Sequence, residues 1–384
     1  MPLTGYPIDF IGLETELKRI GVDSRSLPIF HNKSRIRLYK IIQIDARAAM
    51  ILKQLFLSSG GDVAVNWEVI RFSCEKTDAI IFGTTKHYQE VLTKLQFQPF
   101  FGLEAVAKEL QWFIRSNDRF EFPRIMGILN VTPDSFSDGG QFQTLDQALK
   151  QANTLLSEGA DILDIGGESS RPGSDPVSEE DELSRIIPVI QLITQQHPSV
   201  PVSVDTYKPK VAEMAIKAGA SIINCIQYSS RMMEVVSQAG VQCVLMHMKG
   251  TPKDMQQQTN YPDGIISEMH HFFEMKLEEM KNADIHPSKI WLDPGIGFAK
   301  TPEQNLHILH HLDSFLCWDR PILLGHSRKS FMNALYHLPV ENRTVCTAIY
   351  SYIALNKGAS ILRVHDVAET KLALQIFQNQ LYEP

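Results

Sequence analysis

Acidic and amide side chains follow several short apolar runs in the last two thirds of the chain, each at the point where a run ends. Asp164, Asp205 and Asp293 occupy three of these positions, and Asn224 occupies a fourth. Their oxygens accept hydrogen bonds, and one carboxylate can accept two parallel N–H bonds from the edge of a 2-amino-4-oxopyrimidine ring. This set therefore predicts a site for a flat heterocycle of the guanine or pterin kind.

Basic side chains lie at the ends of the last two apolar runs. The turn Ser327-Arg328-Lys329 follows one run, and Arg363 and His365 lie at the end of the other. With Asn130 and the glycine- and serine-containing loop 132–140, they can hold an anionic group, and phosphate sites near the last two strands are common in barrel enzymes. The alternative interpretation of Arg363 and His365 is a salt-bridged rim that binds no ligand.

The types of these residues also limit the chemistry. No nucleophile with a neighbouring base is recognisable among them, which favours a displacement driven by positioning and by stabilisation of the leaving group. Taken alone, an Asp or Asn after a strand is also explained as a helix cap or a turn residue. The prediction of a site depends on every run ending in a polar residue.

The elements that must position these side chains repeat one pattern: an apolar run, a loop of small residues, then an amphipathic helix. Leu145, Ala148, Ala152 and Leu155 form one such helical stripe, which Gly159 ends. Eight runs occur, the number that closes a parallel barrel, whereas an open doubly wound sheet is the alternative topology. The predicted strands are residues 125–130, 160–164, 202–205, 222–224, 243–247, 290–293, 322–325 and 362–365.

The first part of the chain has a different character. It has no phosphate loop, no paired carboxylates and no metal-ligand spacing, so we interpret it as a packing or assembly module. The predicted fold class is α/β, a (β/α)8 TIM barrel over residues 119–384 preceded by a small α+β domain of unknown role over residues 1–118. The predicted elements of that domain are strands 35–42 and 78–82, helices 46–57 and 88–95, and linker segments 99–101 and 115–119.

Bulk properties exclude several classes of protein. The net charge of -7 argues against nucleic acid as the main partner, and no run of roughly 18 apolar residues predicts a membrane span. The 5 cysteines are odd in number and scattered, which indicates reduced thiols. We expect a cytoplasmic protein that acts on small molecules.

Seven strings mark the strand ends in order along the chain: MGILNVTPDSFSDGG (126–140), DIGGESSRPG (164–173), SVDTYKP (203–209), IIN (222–224), LDPGIGFAKT (292–301), GHSRKSF (325–331) and RVHDV (363–367). Together they resemble the dihydropteroate synthase family. The resemblance implies the condensation of 6-hydroxymethyl-7,8-dihydropterin diphosphate with p-aminobenzoate, which forms 7,8-dihydropteroate and pyrophosphate. It also implies Mg²⁺ as cofactor, membership of a family that is a sulfonamide target, and a homodimer formed through barrel helices.

The resemblance assigns a role to each candidate residue. The catalytic residues would be Asp164, Asp205 and Lys329. The pterin would contact Asp164, Asp205, Asn224, Met246, Asp293 and Lys329. The diphosphate would contact Asn130, Arg363 and His365, and Asn130 would also bind the metal. The p-aminobenzoate would lie among Ser170, Arg171, Pro172, Phe298 and Ser330.

One departure from the family pattern leaves alternatives open. The family usually places Asp after the strand-end Asn, whereas this chain has Cys225, which we interpret as a packed core residue. A pterin-binding paralogue without catalysis, or an enzyme that transfers methyl from methyltetrahydrofolate, would share the acidic pterin end. The methyl-transfer enzyme would not need the Arg-x-His pair.

Overall fold

The computed structural model describes residues 13–71, 73–115, 123–131, 141–168, 176–251 and 253–381. The chain divides into two compact units, the first made mainly of residues 1–119 and the second of residues from 120 onward, with segments 317–319 and 378–384 grouped with the first. None of the described helices combines the length and the hydropathy that crossing a bilayer requires. None of the five cysteines forms a disulfide bond.

The first unit is a three-stranded antiparallel sheet with helices. Strand order is β1-β3-β2. Alternate residues of β3, among them Ala79 and Ile81, are buried with Phe56, Tyr88 and Leu110, because alternation places them on one face of the sheet. The elements are α1 (Leu13–Arg19), α2 (Leu27–Ser34), β1 (Ile36–Asp45), α3 (Ala46–Ser59), β2 (Asp62–Val65), β3 (Lys76–Thr84), α4 (Thr85–Leu95) and α5 (Leu103–Arg115).

The predicted α+β character of this region is confirmed, but four elements were missed: α1, α2, β2 and α5. Strand β2 has only four residues, too few for alternation to be recognised. Helix α5 lies between the two segments interpreted as linkers, and its Leu103, Val106 and Leu110 are buried at helical spacing. The glycine and proline signals at 99–102 mark the start of that helix and not a domain linker.

The second unit is a closed barrel of eight parallel strands in the order β10-β11-β4-β5-β6-β7-β8-β9. The predicted TIM barrel is confirmed, and the open doubly wound sheet is wrong. The strands are β4 (Arg124–Asn130), β5 (Ile162–Gly166), β6 (Val202–Asp205), β7 (Ile222–Cys225), β8 (Gln242–Met246), β9 (Ile290–Asp293), β10 (Ile322–Leu324) and β11 (Ala359–Val364).

Helices alternate with these strands. Gly159 ends α6 with a φ of 107°, and the buried Ala148, Ala152 and Leu155 form the predicted stripe. Strand β5 starts two residues later than predicted, because Ala160 N still bonds the last turn of α6 at Leu155 O. The helices are α6 (Gln141–Glu158), α7 (Glu179–Gln196), α8 (Pro209–Lys217), α9 (Ser230–Ala239), α10 (Ile265–Asn282), α11 (Pro302–His310), α12 (Phe331–Tyr336), α13 (Thr344–Asn356) and α14 (Val367–Leu381).

A layer of apolar side chains forms a core cluster of the barrel. Its members come from seven of the eight strands, and each is at most 2% exposed: Met126, Ile162, Ile222, Val244, Trp291, Leu323 and Ile361. The inward residues of such a barrel fill its interior and leave no pore.

Candidate active site

Strand register places three of the predicted positions, Asn130, Asp205 and Asn224, in one row with Gly166. Asn130 pairs with Gly166, Gly166 with Asp205, and Asp205 with Asn224, across β4 to β7. Asp164 precedes Gly166 by two residues, so its side chain lies on the same face of the barrel wall and one layer deeper. The mouth of the barrel therefore has an acidic floor beneath a row of polar side chains.

Arg363 of β11 bonds two carboxylates at this mouth. Its Nε donates to Asp164 Oδ2 and its Nη2 to Asp205 Oδ2, each at 2.6 Å. The side chain of Asp164 is 0% exposed, that of Asp205 14% and that of Arg363 17%. Charge-assisted bonds of this kind are strong when water is largely excluded. The sequence-based expectation of an acidic end apart from a cationic end is therefore wrong for these three residues, because opposite charges here neutralise one another by direct contact.

Asp164 also has hydrogen-bonding capacity left over. Asn224 Nδ2 donates to Asp164 Oδ2 at 3.3 Å, so this oxygen accepts from two side chains. Asp164 Oδ1 is buried and has no donor within the part of the chain that the structure describes. A buried polar atom without a partner costs free energy, so its presence at a barrel mouth indicates a place for a ligand N–H group.

Asp293 ends β9 on another side of the same opening. Its Oδ1 accepts from Gly295 N at 2.7 Å. A Cβ atom on Gly325 would lie 3.7 Å from Asp293 Oδ2 and 3.9 Å from Arg363 Cδ, so the missing side chain leaves space between the two residues. The second oxygen of Asp293 thus faces the region that Arg363 also borders.

Burial raises the pKa of two carboxyl groups at this opening, those of Asp205 and Asp293. It raises the pKa of Asp205 to about 6, against the opposing charge of Arg363 and with a further contribution from Asp164. Burial also raises the pKa of Asp293, although the Gly295 N–H bond and the positive charges of Lys329 and Arg363 oppose the rise. Titratable groups with shifted pKa values are typical of functional sites.

An apolar wall completes the opening. Met246 at the end of β8 packs with Phe298, Ile226, Met255 and Ala299. The Nζ of Lys329 lies 4.1 Å from the centroid of the Phe298 ring, a cation–π contact. A flat ring that entered here would meet an apolar face beside hydrogen-bonding edges, which is the usual composition of a small-molecule site.

The basic turn after β10 is connected to β11. Ser327 Oγ lies 3.0 Å from His365 Nδ1 and accepts from His365 N at 3.1 Å. Arg328, with a φ of 53°, has its guanidinium paired with Asp366. These contacts connect the two residues that precede Lys329 to the end of β11. Ser330, at the start of α12, is exposed.

Three predicted residues, Ser170, Arg171 and Pro172, lie outside the described residues, as does the loop 132–140. Asn130 is half-buried, and its Oδ1 would lie 3.6 Å from a Cβ atom on Gly166. Cys225 is fully buried, as expected for a packed core residue, and its Sγ donates to Gln227 O at 3.1 Å.

One strand end does not behave as predicted. His247 is 1% exposed and packs against Phe272, so its imidazole lies among aromatic side chains. Its Nδ1 lies 3.0 Å from the Nζ of Lys300, which is itself only 3% exposed. Burial lowers the pKa of His247 well below its usual value and that of Lys300 to about 7. The sequence analysis missed Lys300, because a lysine inside an apolar loop signals no contact by itself.

A second buried cluster was also missed. Lys208 Nζ bonds Glu182 Oε2 at 2.6 Å and pairs with Glu168, which also accepts from Tyr207 OH at 3.1 Å. Glu168 and Lys208 occur in two of the strings quoted above, but their pairing across 40 residues cannot be read from spacing. The cluster lies directly after β5 and β6 and joins the segment that follows β5 to the segment that follows β6.

Comparisons with known proteins agree with this geometry. Residues 126–365 match the family model of the pterin binding enzymes. The dihydropteroate synthase of Escherichia coli is 42% identical over 67% of this chain and 92% of its own length. A Helicobacter pylori protein, named a bifunctional dihydropteroate synthase/dihydropteroate reductase, is 34% identical over 96% of each chain. The dihydropteroate synthase of Xanthomonas albilineans, solved with 4-aminobenzoic acid, is 40% identical with a TM-score of 0.64, over 70% of this chain and 95% of that one.

Proposed function

The chain belongs to the pterin-binding enzymes and, within them, to the dihydropteroate synthase family. We propose that its acidic strand-end residues bind the pterin and that Asn130, Arg363 and His365 bind the diphosphate. The enzyme is a transferase that joins 6-hydroxymethyl-7,8-dihydropterin diphosphate to p-aminobenzoate. This assignment rests on the buried Asp164. Its Oδ2 accepts from Arg363, whereas its Oδ1 has no donor among the described residues. A pterin N–H group is the partner that this oxygen requires.

The pterin occupies the acidic part of the mouth. Asp293 accepts from the aminopyrimidine edge through Oδ2, since Oδ1 is already bonded to Gly295 N. Asp164 and Asp205 accept from the ring on the opposite side, and Asn224 is held beside them. Met246 contacts the ring face. Lys329 lies between this ring and Phe298, where its charge opposes the rise in the pKa of Asp205 and Asp293 that burial causes.

The diphosphate lies toward Asn130, Arg363 and His365. Mg²⁺ suits this end, because it keeps several waters and binds through few protein oxygens together with substrate phosphates. The amide oxygen of Asn130 is one such ligand, and the described residues contain no cluster of three His, Cys, Asp or Glu that would bind a metal by themselves. The metal would neutralise charge on the departing diphosphate oxygens.

The reaction is a substitution at the exocyclic carbon of the pterin. The C–O bond to diphosphate breaks and its electron pair leaves with pyrophosphate. The aniline nitrogen of p-aminobenzoate forms the new C–N bond and then loses a proton to water. Ring nitrogens of the pterin stabilise positive charge at that carbon, so no strong base is required. Asp164, Asp205 and Lys329 contribute by fixing and polarising the ring.

The p-aminobenzoate lies nearer the exit, among Phe298, Ser330 and the residues Ser170, Arg171 and Pro172. Phe298 is supported by the apolar wall and Ser330 is exposed, which suits an aromatic ring with a carboxylate toward solvent. We expect a sulfonamide to compete with p-aminobenzoate at this position.

The product assay tests this function. Purified protein given both substrates and Mg²⁺ should release pyrophosphate and form dihydropteroate in equal amounts, and a chelator should stop the reaction. Binding of the pterin diphosphate without pyrophosphate release would identify a non-catalytic paralogue. Methyl transfer from methyltetrahydrofolate without dihydropteroate formation would identify the other alternative.

The pKa of Asp205 leads to a prediction about pH. Protonation turns one of the two accepting oxygens of a carboxylate into an O–H donor, and the pKa of Asp205 is about 6. Protonation below this pH removes an acceptor, so pterin affinity should fall by about tenfold for each pH unit below 6. Pterin fluorescence titrations from pH 5 to 8 measure this. Asp205→Asn should bind weakly with a nearly flat profile, and a flat profile in the unaltered protein would contradict the assignment.

We propose dihydropteroate reduction as a second activity, on the basis of the Helicobacter pylori relative. The match to that protein spans 96% of this chain and so includes the first unit. The step would add a hydride from a reduced nicotinamide or flavin, and a proton from water, across the remaining C=N bond of the dihydropterin ring. Dihydropteroate should then cause oxidation of NADH, NADPH or reduced flavin. No oxidation above the rate without dihydropteroate would rule out this activity.

We also propose a homodimer formed through barrel helices. Val345 and Ile349 of α13 are 68% and 56% exposed, and they lie four residues apart on one helical face. Leu372 and Ile376 of α14 repeat this arrangement at 58% and 49%. Exposed apolar patches of this kind are typical of interaction sites. Light scattering should give twice the chain mass, and Ile349→Glu should lower it; a monomeric parent protein would refute the proposal.

A further inference from the structure

The loop between β9 and α11 carries Phe298 in a compact backbone conformation. Gly295, Gly297 and Ala299 have φ values of 67°, 84° and 51°. Left-handed backbone at alternate residues is unfavourable for a side chain such as that of Ala299, so outside contacts must hold the loop.

Four side chains, three from outside the loop and that of Lys300 within it, bond the loop backbone. Gln256 Nε2 donates to Gly297 O at 3.0 Å, and Asn305 Oδ1 accepts from Gly297 N at 2.7 Å. Tyr261 OH donates to Ala299 O at 2.9 Å. Between them, the carbonyl of Phe298 accepts from Lys300 Nζ at 2.9 Å. Of these donors, only Lys300 is charged.

Lys300 has an acceptor for each hydrogen of its ammonium group. Besides Phe298 O, these are His247 O at 3.2 Å and His247 Nδ1 at 3.0 Å. When Lys300 is protonated, its ammonium group has three donors and no acceptor, so His247 Nδ1 then accepts and the imidazole carries its proton on Nε2. The neutral imidazole and the two carbonyls therefore satisfy a buried charge completely.

These bonds join the loop to the end of β8. His247 N donates to Asp293 O at 2.9 Å, so His247 is already fixed relative to β9. A Cβ on Gly295 would lie 2.1 Å from His247 O, so the loop backbone also packs directly against this residue. Lys300 adds the link that reaches Phe298, whose ring lies under Lys329.

We infer that Lys300 is a positioning residue for the second substrate: it holds the Phe298 carbonyl to His247 and thereby fixes the aromatic wall against which p-aminobenzoate binds. This inference rests on the proposed function. Asp293 precedes the loop and is held by barrel pairing with Met246, so the pterin end depends much less on Lys300.

Lys300→Met tests the inference, since it keeps the length of the side chain and removes the donors. The KM for p-aminobenzoate should rise about tenfold, because the bond that holds the Phe298 carbonyl is lost together with the two bonds to His247, whereas kcat and pterin affinity should change less than about threefold. Lys300→Gln, which retains an N–H donor, should give a smaller rise in KM. Steady-state kinetics and pterin titration separate these effects.

Two variants serve as controls. Tyr261→Phe removes a neutral bond to the neighbouring carbonyl and should raise the KM less than about threefold. Lys281→Met alters a lysine that is 67% exposed and should change nothing. Equal losses for both substrates, an unchanged KM, or failure of both Lys300 variants to fold would overturn the inference. An inactive parent protein would instead refute the proposed function, so the two failures are distinguishable.

Discussion

Asp293→Ala should abolish measurable pterin binding, with a loss of affinity of about a thousandfold or more. The carboxylate is only 5% exposed, so its hydrogen bonds to a heterocycle form where water is excluded. Its Oδ1 is bonded to Gly295 N, which turns Oδ2 toward the opening and fixes its direction. The variant loses the negative charge and the oriented acceptor oxygen Oδ2. Fluorescence titration with a dihydropterin, and with its diphosphate, measures the loss.

Two further variants make this test specific. Asp293→Asn keeps the shape but presents an N–H group where the ring itself donates, so it should recover little affinity. Asp313→Ala alters a carboxylate that is 49% exposed and paired with Lys357 at the surface, and it should bind normally. Circular dichroism establishes that each variant is folded. Affinity within tenfold of the parent in a folded Asp293→Ala protein would refute the role assigned to Asp293.

Arg363→Ala should lower affinity for the pterin itself as well as for its diphosphate. The side chain is bonded to both Asp164 and Asp205, so its removal leaves two carboxylates buried side by side without a counter-charge. Breaking such a pair costs about 3–5 kcal/mol, so kcat/KM should fall by at least about a hundredfold. Titrations with and without the diphosphate compare the two contributions. An unchanged affinity for the free pterin would contradict the contacts described for Arg363.

The stability of the Arg363→Ala protein should also depend on pH. Without the guanidinium, the pKa of Asp205, which burial already raises, should rise further above its value in the unfolded chain. A raised carboxyl pKa destabilises the fold at high pH, where the group must ionise, and this penalty disappears on protonation. The difference in unfolding free energy from the parent should therefore be larger at pH 8 than at pH 5. Arg231→Ala, at a side chain 59% exposed, is the matched control, for which no such trend is expected.

Most of the barrel could be predicted from sequence because its signals are local. An apolar run, a polar end and a helical stripe each occupy a few residues, as in Leu145 to Gly159. Residues such as Asp205 and Asn224 could be placed together because parallel strands must bring their ends to one edge. The short strand β2 was missed because four residues are too few for a period to be recognised.

Contacts between distant residues could not be predicted. Arg363 and Asp164 lie 199 residues apart. Neither local sequence shows that the two side chains bond each other directly, instead of binding different ends of a ligand. His247 follows its strand as the other polar residues do, yet it lies among aromatic rings and bonds Lys300. The direction in which a strand-end side chain points depends on the loops packed around it, and those loops come from elsewhere in the sequence.

The layer of seven apolar side chains inside the barrel also bears on the order in which the substrates bind. Because this layer fills the barrel beneath the site, we expect both substrates and both products to use the opening at the C-terminal ends of the strands. In the proposed arrangement the pterin contacts fully buried groups such as Asp164, whereas p-aminobenzoate lies beside the exposed Ser330. We therefore expect the pterin to bind first and the joined product to leave before another cycle begins.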